Sequence, residues 1–189
     1  MDHIYHEPQF GENWFTYKNL YSRFIKELND GSRIVEVGCW KGKSIAYLAV
    51  EVINSGKDIK IDAVDTWLGS DEHEHVNDPH VKSNTLYELF VSNITPVSKV
   101  INPTRMSSVE AANNYDDESL DVVFIDACHS YECVKEDIIA WLPKVKIGGY
   151  ISGHDYSWGD GVKRAVDEAF ESIEETEGCW VHKKGEPNG

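Results

Sequence analysis

The apolar residues of this chain fall into short continuous runs that alternate with longer segments of helical spacing. Short apolar runs bounded by turn residues are typical of buried strands. Such runs occur at residues 33–37, 60–65, 99–102, 121–126 and 150–153, with a shorter one at 179–182. The 121–126 run is apolar between its two flanking aspartates, as expected of a central strand in a parallel sheet.

Segments with apolar residues every three or four positions fill the intervals between these runs. The predicted helices cover about residues 11–29, 43–53, 83–93, 108–113, 131–141 and 161–174. Strand and helix therefore alternate five times. This alternation predicts an α/β fold: a Rossmann-like, doubly wound, mostly parallel sheet of six or seven strands with helices on both faces.

The organisation of the chain is expected to be simple. No repeat or interdomain linker is evident, so we expect one domain over residues 1–189, with an N-terminal helical segment (1–30) and a Rossmann-like core (31–189). The C-terminus has room for only one further strand after the fifth. We therefore expect the sheet to lack an edge strand or a reversed hairpin.

The excess of acidic residues disfavours some classes of binding partner. The 189 residues carry 33 acids against 18 bases, a formal net charge of −15. A field of that sign repels nucleic acid and anionic membranes, although solubility alone also explains it. No apolar run approaches the roughly 20 residues of a membrane span, and no signal peptide is evident. Four cysteines without a C-x-x-C pair favour reduced thiols and a cytoplasmic protein; a homo-oligomer stays open.

The turn after the first strand, V-E-V-G-C-W-K-G-K-S over residues 35–44, carries the strongest chemical signal. A dinucleotide fingerprint needs a glycine where this chain has Trp40, and a Walker loop needs a glycine that is absent here. The carboxylate of Glu36 would repel phosphate but suits a ligand with a cationic amino group. S-adenosylmethionine (SAM) is such a ligand.

Acidic and histidine residues follow the later strands, at one edge of the predicted sheet. Asp65 ends the second strand, where it either binds ribose hydroxyls or serves as a turn residue. Asp126 and Asp155 end neighbouring strands, so their carboxylates could share a hard cation such as Mg²⁺, unless each is an ordinary cap. His129 and His154 lie close by. An imidazole there could take a proton from a substrate hydroxyl, or it could be structural.

Two further segments have open interpretations. The acidic run 71–75 could bind metal through His73 and His75, but a solvated, mobile segment is the plainer interpretation. As an insertion after the second strand, it could also close over a substrate. The aromatic stripe of residues 14–21 is typical of helix packing, and part of it could form a lid.

Three motifs together resemble class I SAM-dependent methyltransferases, and among them the metal-dependent small-molecule O-methyltransferases of the macrocin and catechol type. Residues 36–44 resemble the family's E-x-G-x-x-x-G-x-S motif. Residues 124–132 resemble F-I-D-G-D-H-S-Y-E, and residues 148–156 resemble G-G-x-I-x-x-H-D-Y. The similarity covers about residues 30–170, and all three motifs occur in order and at suitable distances.

The resemblance implies roles for individual residues. It implies that Glu36, as part of the first motif, and Asp126 border the cofactor, and that Asp65 holds the ribose. The methionine half of SAM would be surrounded by Gly38, Trp40, Gly42 and Ser44. Met106 and Ser107 would lie near the adenine. The metal ligands would be Asp126, Asp155 and His154, and His129 would be the catalytic base.

The chain departs from the family pattern at Cys128, where the family has a second aspartate, and at Ala127, where it has glycine. The resemblance implies methyl transfer from SAM to a hydroxyl of a small polyhydroxy acceptor, such as a sugar, catechol or natural product. Three alternatives stay open: a SAM-binding protein with a degenerate metal site, a methyltransferase acting on protein, and a nicotinamide dehydrogenase, which Trp40 disfavours.

Overall fold

The computed structural model describes residues 1–11, 13–70 and 72–185. A seven-stranded sheet forms its centre, with strands β1 Arg33–Val37, β2 Lys60–Asp65, β3 Ile101–Arg105, β4 Leu120–Ile125, β5 Val145–Gly153, β6 Glu174–Thr176 and β7 Cys179–Lys183. The helices are α1 Lys18–Glu27, α2 Lys43–Ser55, α3 His73–Asn77, α4 Pro79–Lys82, α5 Leu86–Ile94, α6 Ser108–Ala112, α7 Tyr131–Trp141 and α8 Asp160–Ala169.

The strand order is β3-β2-β1-β4-β5-β7-β6, and the first five of these strands are parallel. The order reverses between β1 and β4, where an open α/β sheet places its ligand crevice beyond the carboxyl ends of the strands. This arrangement confirms the predicted α/β, Rossmann-like, mostly parallel sheet.

The C-terminal edge contradicts the prediction that no reversed hairpin is present. Strand β7 pairs antiparallel with β5, and β6 pairs antiparallel with β7. Glu177 and Gly178 both have positive φ, as the two-residue turn of a tight hairpin requires. The prediction failed because β6 is short and polar, so its residues read as the tail of the preceding helix.

Two other elements near the carboxyl ends of the strands differ from the prediction. Helix α1 begins at Lys18 rather than near residue 11, so Thr16 and Tyr17 lie in irregular chain before it. The polar stretch predicted as a mobile loop contains α3 and α4. Its Asp71 lies outside the described residues.

Apolar side chains pack on both faces of the sheet. Alternate residues of β1 face opposite sides: Ile34 joins the core beneath α1, α2 and α5, whereas Val35 and Val37 join the core beneath α6, α7 and α8. Glu36 shares the first face with Ile34, yet it is fully buried. No helix in the described part of the chain is long and apolar enough to cross a membrane.

Candidate active site

The turn between β1 and α2 is held against the end of β4. Gly38 has a φ of +87°, and a Cβ built on it would lie 2.0 Å from the carbonyl oxygen of Asp126. Gly42 also has positive φ, and so does Trp40, which is uncommon for a residue with a side chain. This conformation brings the backbone of the glycine turn beside Asp126, one of the predicted metal ligands.

Asp65 fixes the shape of this turn. Its Oδ2 accepts hydrogen bonds from the backbone N–H groups of Cys39 at 2.8 Å and Trp40 at 2.9 Å, and its Oδ1 accepts from Trp67 at 2.7 Å. Burial raises the pKa of Asp65 and these three bonds lower it, with a net rise. The contacts of Asp65 are therefore those of a turn residue, and its binding of ribose stays a prediction.

Glu36 and Ser44 lie beneath the turn rather than on its surface. The Glu36 carboxyl is fully buried and accepts hydrogen bonds from the hydroxyls of Ser44 at 2.6 Å and Tyr21 at 2.7 Å. Burial raises the pKa of Glu36 to about 8. Because both oxygens already have partners, these two residues support the turn from below, and the predicted direct contact of Glu36 with a cationic ligand is not available in this conformation.

The predicted cation ligands converge at the ends of β4 and β5. Asp126, His154 and Asp155 each offer one ligand atom, and these atoms all lie within 4.8 Å of one another. His154 Nδ1 is 3.2 Å from Asp155 Oδ2 and 3.8 Å from Asp126 Oδ1. Burial raises the pKa of Asp155, but the neighbouring imidazoles of His154 and His129 outweigh it and hold this pKa below its usual range.

His129 points into the same cluster. Its Nε2 lies 2.9 Å from Asp155 Oδ2 and 3.9 Å from Asp126 Oδ1, yet this buried nitrogen has no hydrogen bond of good geometry among the described residues. Its Nδ1 pairs with Glu72 Oε1 at 2.6 Å. Burial lowers the pKa of His129, but Asp126 and Asp155 together outweigh it and raise the pKa to about 11.

The segment after β2, here called the covering segment (residues 68–70 and 72–82), folds over the glycine turn. The His75 ring stacks on Trp40 with centroids 4.0 Å apart, and its Nδ1 is 2.7 Å from Ser70 Oγ. Lys41 pairs with Asp78 at 2.5 Å, and both side chains are largely buried. The segment is therefore packed onto the site and contributes Glu72 to it.

The covering segment does not supply metal ligands in this structure. Among the residues that the structure describes, the one group that could hold a metal consists of Asp126, His154 and Asp155. His73 and His75 are outside this group, so the less favoured alternative, in which they bind a metal, has no support in this conformation. The stack on Trp40 accounts for the position of His75.

Met106 and Ser107 lie at the same sheet edge. The backbone N–H of Met106 donates to the carbonyl of Asp65 at 3.0 Å, and Ser107 precedes α6 and bonds Glu110 at 2.5 Å. Both are partly exposed. Their predicted place near an adenine ring agrees with their position next to β2, and the role itself stays a prediction.

Cys128 does not join the carboxylate cluster. Its thiol is partly exposed and donates to Ser130 Oγ at 3.4 Å. All four cysteines are free thiols. The position where the family has aspartate therefore supplies no ligand here, and His154 takes part in the cluster together with Asp126 and Asp155.

Sequence reasoning missed three residues of the site. Tyr17 donates to Asp126 Oδ2 at 2.7 Å, Thr16 Oγ1 lies 3.1 Å from His154 Nε2, and Glu72 contacts His129. Each contact joins parts of the chain far apart in sequence. The aromatic stripe marked Tyr17 as a packing residue or part of a lid, and no local pattern indicated the contacts of Thr16 or Glu72.

The switch point with its glycine turn, the strand-end aspartate and the acidic cluster agree with the class I methyltransferase fold that the motifs resemble. The sequence model of the family described as a methyltransferase domain matches residues 35–156. The chain belongs to this methyltransferase family. The resemblance to SAM-dependent methyltransferases that the motifs indicated is thereby confirmed.

Solved structures show the same fold at low sequence identity. The O-methyltransferase NovP is 15% identical, with a TM-score of 0.70 over 90% of this chain and 80% of NovP. The MycE methyltransferase of the mycinamycin pathway, in complex with Mg and SAH, is 17% identical, with a TM-score of 0.59 over 96% of this chain and 52% of MycE. A SAM-dependent O-methyltransferase from Thermotoga maritima is 16% identical, with a TM-score of 0.59, covering 87% and 55%.

One curated relative also matches by sequence. Uncharacterized protein y4gI of Sinorhizobium fredii is 30% identical over 128 residues, which are 65% of this chain. The match spans 13% of that protein's length.

Proposed function

We propose that the protein transfers a methyl group from SAM to a hydroxyl of a small polyhydroxy acceptor, such as a sugar, a catechol or a natural product, with the help of a divalent cation. The observation that carries the proposal is the convergence of Asp126, His154 and Asp155 beside the glycine turn, with His129 Nε2 directed at them. The methyltransferase family match and the likeness to NovP and MycE support it.

The cluster fits a divalent cation. It offers two carboxylates and one imidazole within 4.8 Å, a donor set that hard to intermediate cations such as Mg²⁺ or Mn²⁺ accept. His129 Nε2 is a buried polar atom left without a good hydrogen bond there, as expected where a further group belongs. A bound cation would supply Lewis acidity, lowering the pKa of an acceptor hydroxyl. The MycE structure, which contains Mg, adds support.

The glycine turn would hold the cofactor. Gly38, Trp40 and Gly42 present their backbone at the sheet edge, while Glu36 and Ser44 support the turn from the core side. The methyl group of SAM is already activated by its sulfonium. The main task of the protein is therefore to align an acceptor oxygen with that methyl group.

At the other end of the cofactor, Asp65 has one free acceptor position on Oδ1 for a ribose hydroxyl. Met106 and Ser107 would border the adenine.

His129 would accept the acceptor's proton at Nε2. Glu72 holds Nδ1 and so keeps the ring directed at the cluster. With the charges of Asp126 and Asp155 uncompensated, the pKa of about 11 means that the ring already carries a proton at neutral pH. A cation held by Asp126 and Asp155 would compensate these charges, so that the ring could serve as a base.

The acceptor would enter beside Trp158. This ring is 68% exposed and lies edge-on to His129 with centroids 5.4 Å apart. An exposed indole next to the base offers an apolar surface to the carbon skeleton of an acceptor. The strongly negative net charge disfavours nucleic acid as a substrate.

Titration calorimetry with SAM, with and without Mg²⁺, followed by methyl-transfer assays on hydroxylated acceptors, tests the proposal. We expect exhaustive chelation with EDTA to abolish transfer and Mg²⁺ to restore it. His129→Gln should lower turnover by about 10²–10⁴-fold with SAM affinity nearly unchanged. His6→Gln, on the exposed N-terminal surface, is the matched control. Full activity after chelation would reject the cation.

A second function is favoured by one observation, the substitution at Cys128. The carboxylate that the family has at this position is absent, and the thiol of Cys128 donates to Ser130 instead. The protein could therefore bind SAM with a degenerate metal site and transfer no methyl group, or it could transfer the methyl group to a protein. SAM binding without transfer to a broad acceptor panel would favour the first variant of this function. Cation-independent methylation of proteins would favour the second.

A further inference from the structure

Two residues of the N-terminal segment contact the candidate cation ligands directly. Tyr17 donates its hydroxyl proton to Asp126 Oδ2 at 2.7 Å, and Thr16 Oγ1 lies 3.1 Å from His154 Nε2. Both residues lie in the irregular chain just before α1. More than 100 residues separate each from its partner, so only the fold brings them together.

The two contacts of the Thr16 hydroxyl favour one of the two tautomers of His154. A threonine hydroxyl has a single proton to donate. Thr16 gives that proton to the backbone carbonyl of Glu177 at 3.3 Å. With its proton engaged in this way, the Thr16 oxygen is left as an acceptor for His154, an arrangement that places the imidazole hydrogen on Nε2. The lone pair of a neutral His154 then lies on Nδ1, the atom that faces Asp155 and Asp126.

Tyr17 acts on Asp126 in a comparable way. Its side chain is 1% exposed and its ring packs 4.7 Å from that of Phe124, so the hydroxyl has little freedom to move. The bond to Oδ2 fixes the rotation of the Asp126 carboxylate and leaves Oδ1 directed at His154. An oriented carboxylate and a fixed imidazole tautomer are what a cation site needs from the groups behind its ligands.

The contacts of Glu177 hold this N-terminal chain in place. The Glu177 carboxylate accepts from the backbone N–H of Leu20 at 3.0 Å and from Asn19 Nδ2 at 2.6 Å, at the start of α1. The β6–β7 turn thus fastens the residues that precede α1. Thr16 and Tyr17 are accordingly fixed at both ends, against the hairpin and against the cluster.

We propose that Thr16 and Tyr17 are positioning residues of the cation site: Thr16 sets the tautomer in which His154 binds through Nδ1, and Tyr17 sets the orientation of Asp126. This inference rests on the proposed cation-dependent function. It assigns a role in that function to the segment before α1, which lies outside the motifs of the family.

Mn²⁺ affinity, measured by electron paramagnetic resonance of free Mn²⁺, tests the inference without any acceptor. Thr16→Val removes the hydroxyl and keeps the shape, and Tyr17→Phe does the same. We expect each to weaken Mn²⁺ binding by about 10–100-fold, and Thr16→Ser to restore it to within about threefold of the wild type. Tyr21→Phe is the matched control, because Tyr21 lies one turn further along, is equally buried and bonds Glu36 rather than a cluster residue.

Nitrogen-15 NMR of the Mg²⁺-loaded protein supplies a second measurement, with His154 expected to carry its hydrogen on Nε2 and to lose that single form in Thr16→Val. Mn²⁺ affinities of Thr16→Val and Tyr17→Phe equal to that of the wild type, in folded protein, would overturn the inference. No Mn²⁺ binding by the wild type at millimolar concentration would overturn the cation site together with the inference. SAM titration of the same sample reports separately on the cofactor part of the proposed function.

Discussion

Replacing Gly38 with alanine should separate the glycine turn from the end of β4. The added Cβ would lie 2.0 Å from the Asp126 carbonyl oxygen and 2.8 Å from Ala127 Cα, whereas real contacts of this kind stay above 3.0 Å. Both neighbours are backbone atoms that cannot rotate away, so the two loops must move apart by about 1 Å. Because Asp126 belongs to the cluster, that movement also disturbs the candidate cation ligands.

The expected cost has two parts. A residue with a side chain at a φ of +87° loses roughly 1–2 kcal/mol. Forcing extra volume into a packed contact adds about 1–3 kcal/mol. We therefore expect Gly38→Ala to lower the free energy of unfolding by about 2–5 kcal/mol, which shifts the urea midpoint by roughly 1–2.5 M if the m-value is about 2 kcal/mol/M.

Gly31→Ala is the control that isolates the packing part. Gly31 has a φ of +83°, close to that of Gly38, but nothing lies within 4 Å of a Cβ built on it. This variant should lose only the roughly 1–2 kcal/mol of backbone strain and should bind Mn²⁺ like the wild type. Equal urea midpoints for the two variants, with unchanged Mn²⁺ affinity in both, would refute the reasoning.

Three further predictions follow from other contacts. Burial raises the pKa of Glu36 from 4.5 to about 8, so its contribution to stability is complete below pH 4.5 and is lost as the pH rises through 8. Between pH 5 and 8, the free energy of unfolding of the wild type should therefore fall by about 3 kcal/mol more than that of Glu36→Gln. Equal pH slopes of the two proteins in urea titrations would contradict this prediction. Asp65→Asn presents an amide N–H₂ to backbone donors, so the SAM dissociation constant by calorimetry should rise at least about tenfold; an unchanged constant would remove Asp65 from the cofactor site. Lys41→Met leaves the largely buried carboxylate of Asp78 without its ion-pair partner, so the covering segment should exchange its amide hydrogens faster. Lys60→Met, which removes an exposed ion pair, should leave this exchange rate unchanged.

Elements with strong local signals were predictable from the sequence. Strands β1 and β2 occupy their predicted residues because apolar runs and turn residues mark both ends. Helix α7 also has its predicted bounds, since Ser130 caps it by accepting a hydrogen bond from the N–H of Cys133. The convergence of Asp126 and Asp155 followed from the parallel order of β4 and β5 alone.

Contacts without a local signal were not predictable. Strand β6 is polar on both sides because it lies at the sheet edge, so no alternation of apolar residues marked it. The stack of His75 on Trp40 depends on how the covering segment folds back, which pattern and charge do not encode. The burial of Glu36 depends on Tyr21 and Ser44 approaching from two separate helices.

The hydrogen bonds from Asn19 and Leu20 to Glu177 couple the start of α1 to the β6–β7 turn. A fragment that begins at residue 31 would keep every strand and the glycine turn, yet His154 and Asp126 would lose the hydroxyls of Thr16 and Tyr17. A tag or a domain inserted at the Glu177–Gly178 turn would disturb the contacts of Glu177 that hold this N-terminal chain in place. If the candidate cation site binds its ion as proposed, edits to either region should therefore lower cation affinity although both lie far outside the signature motifs.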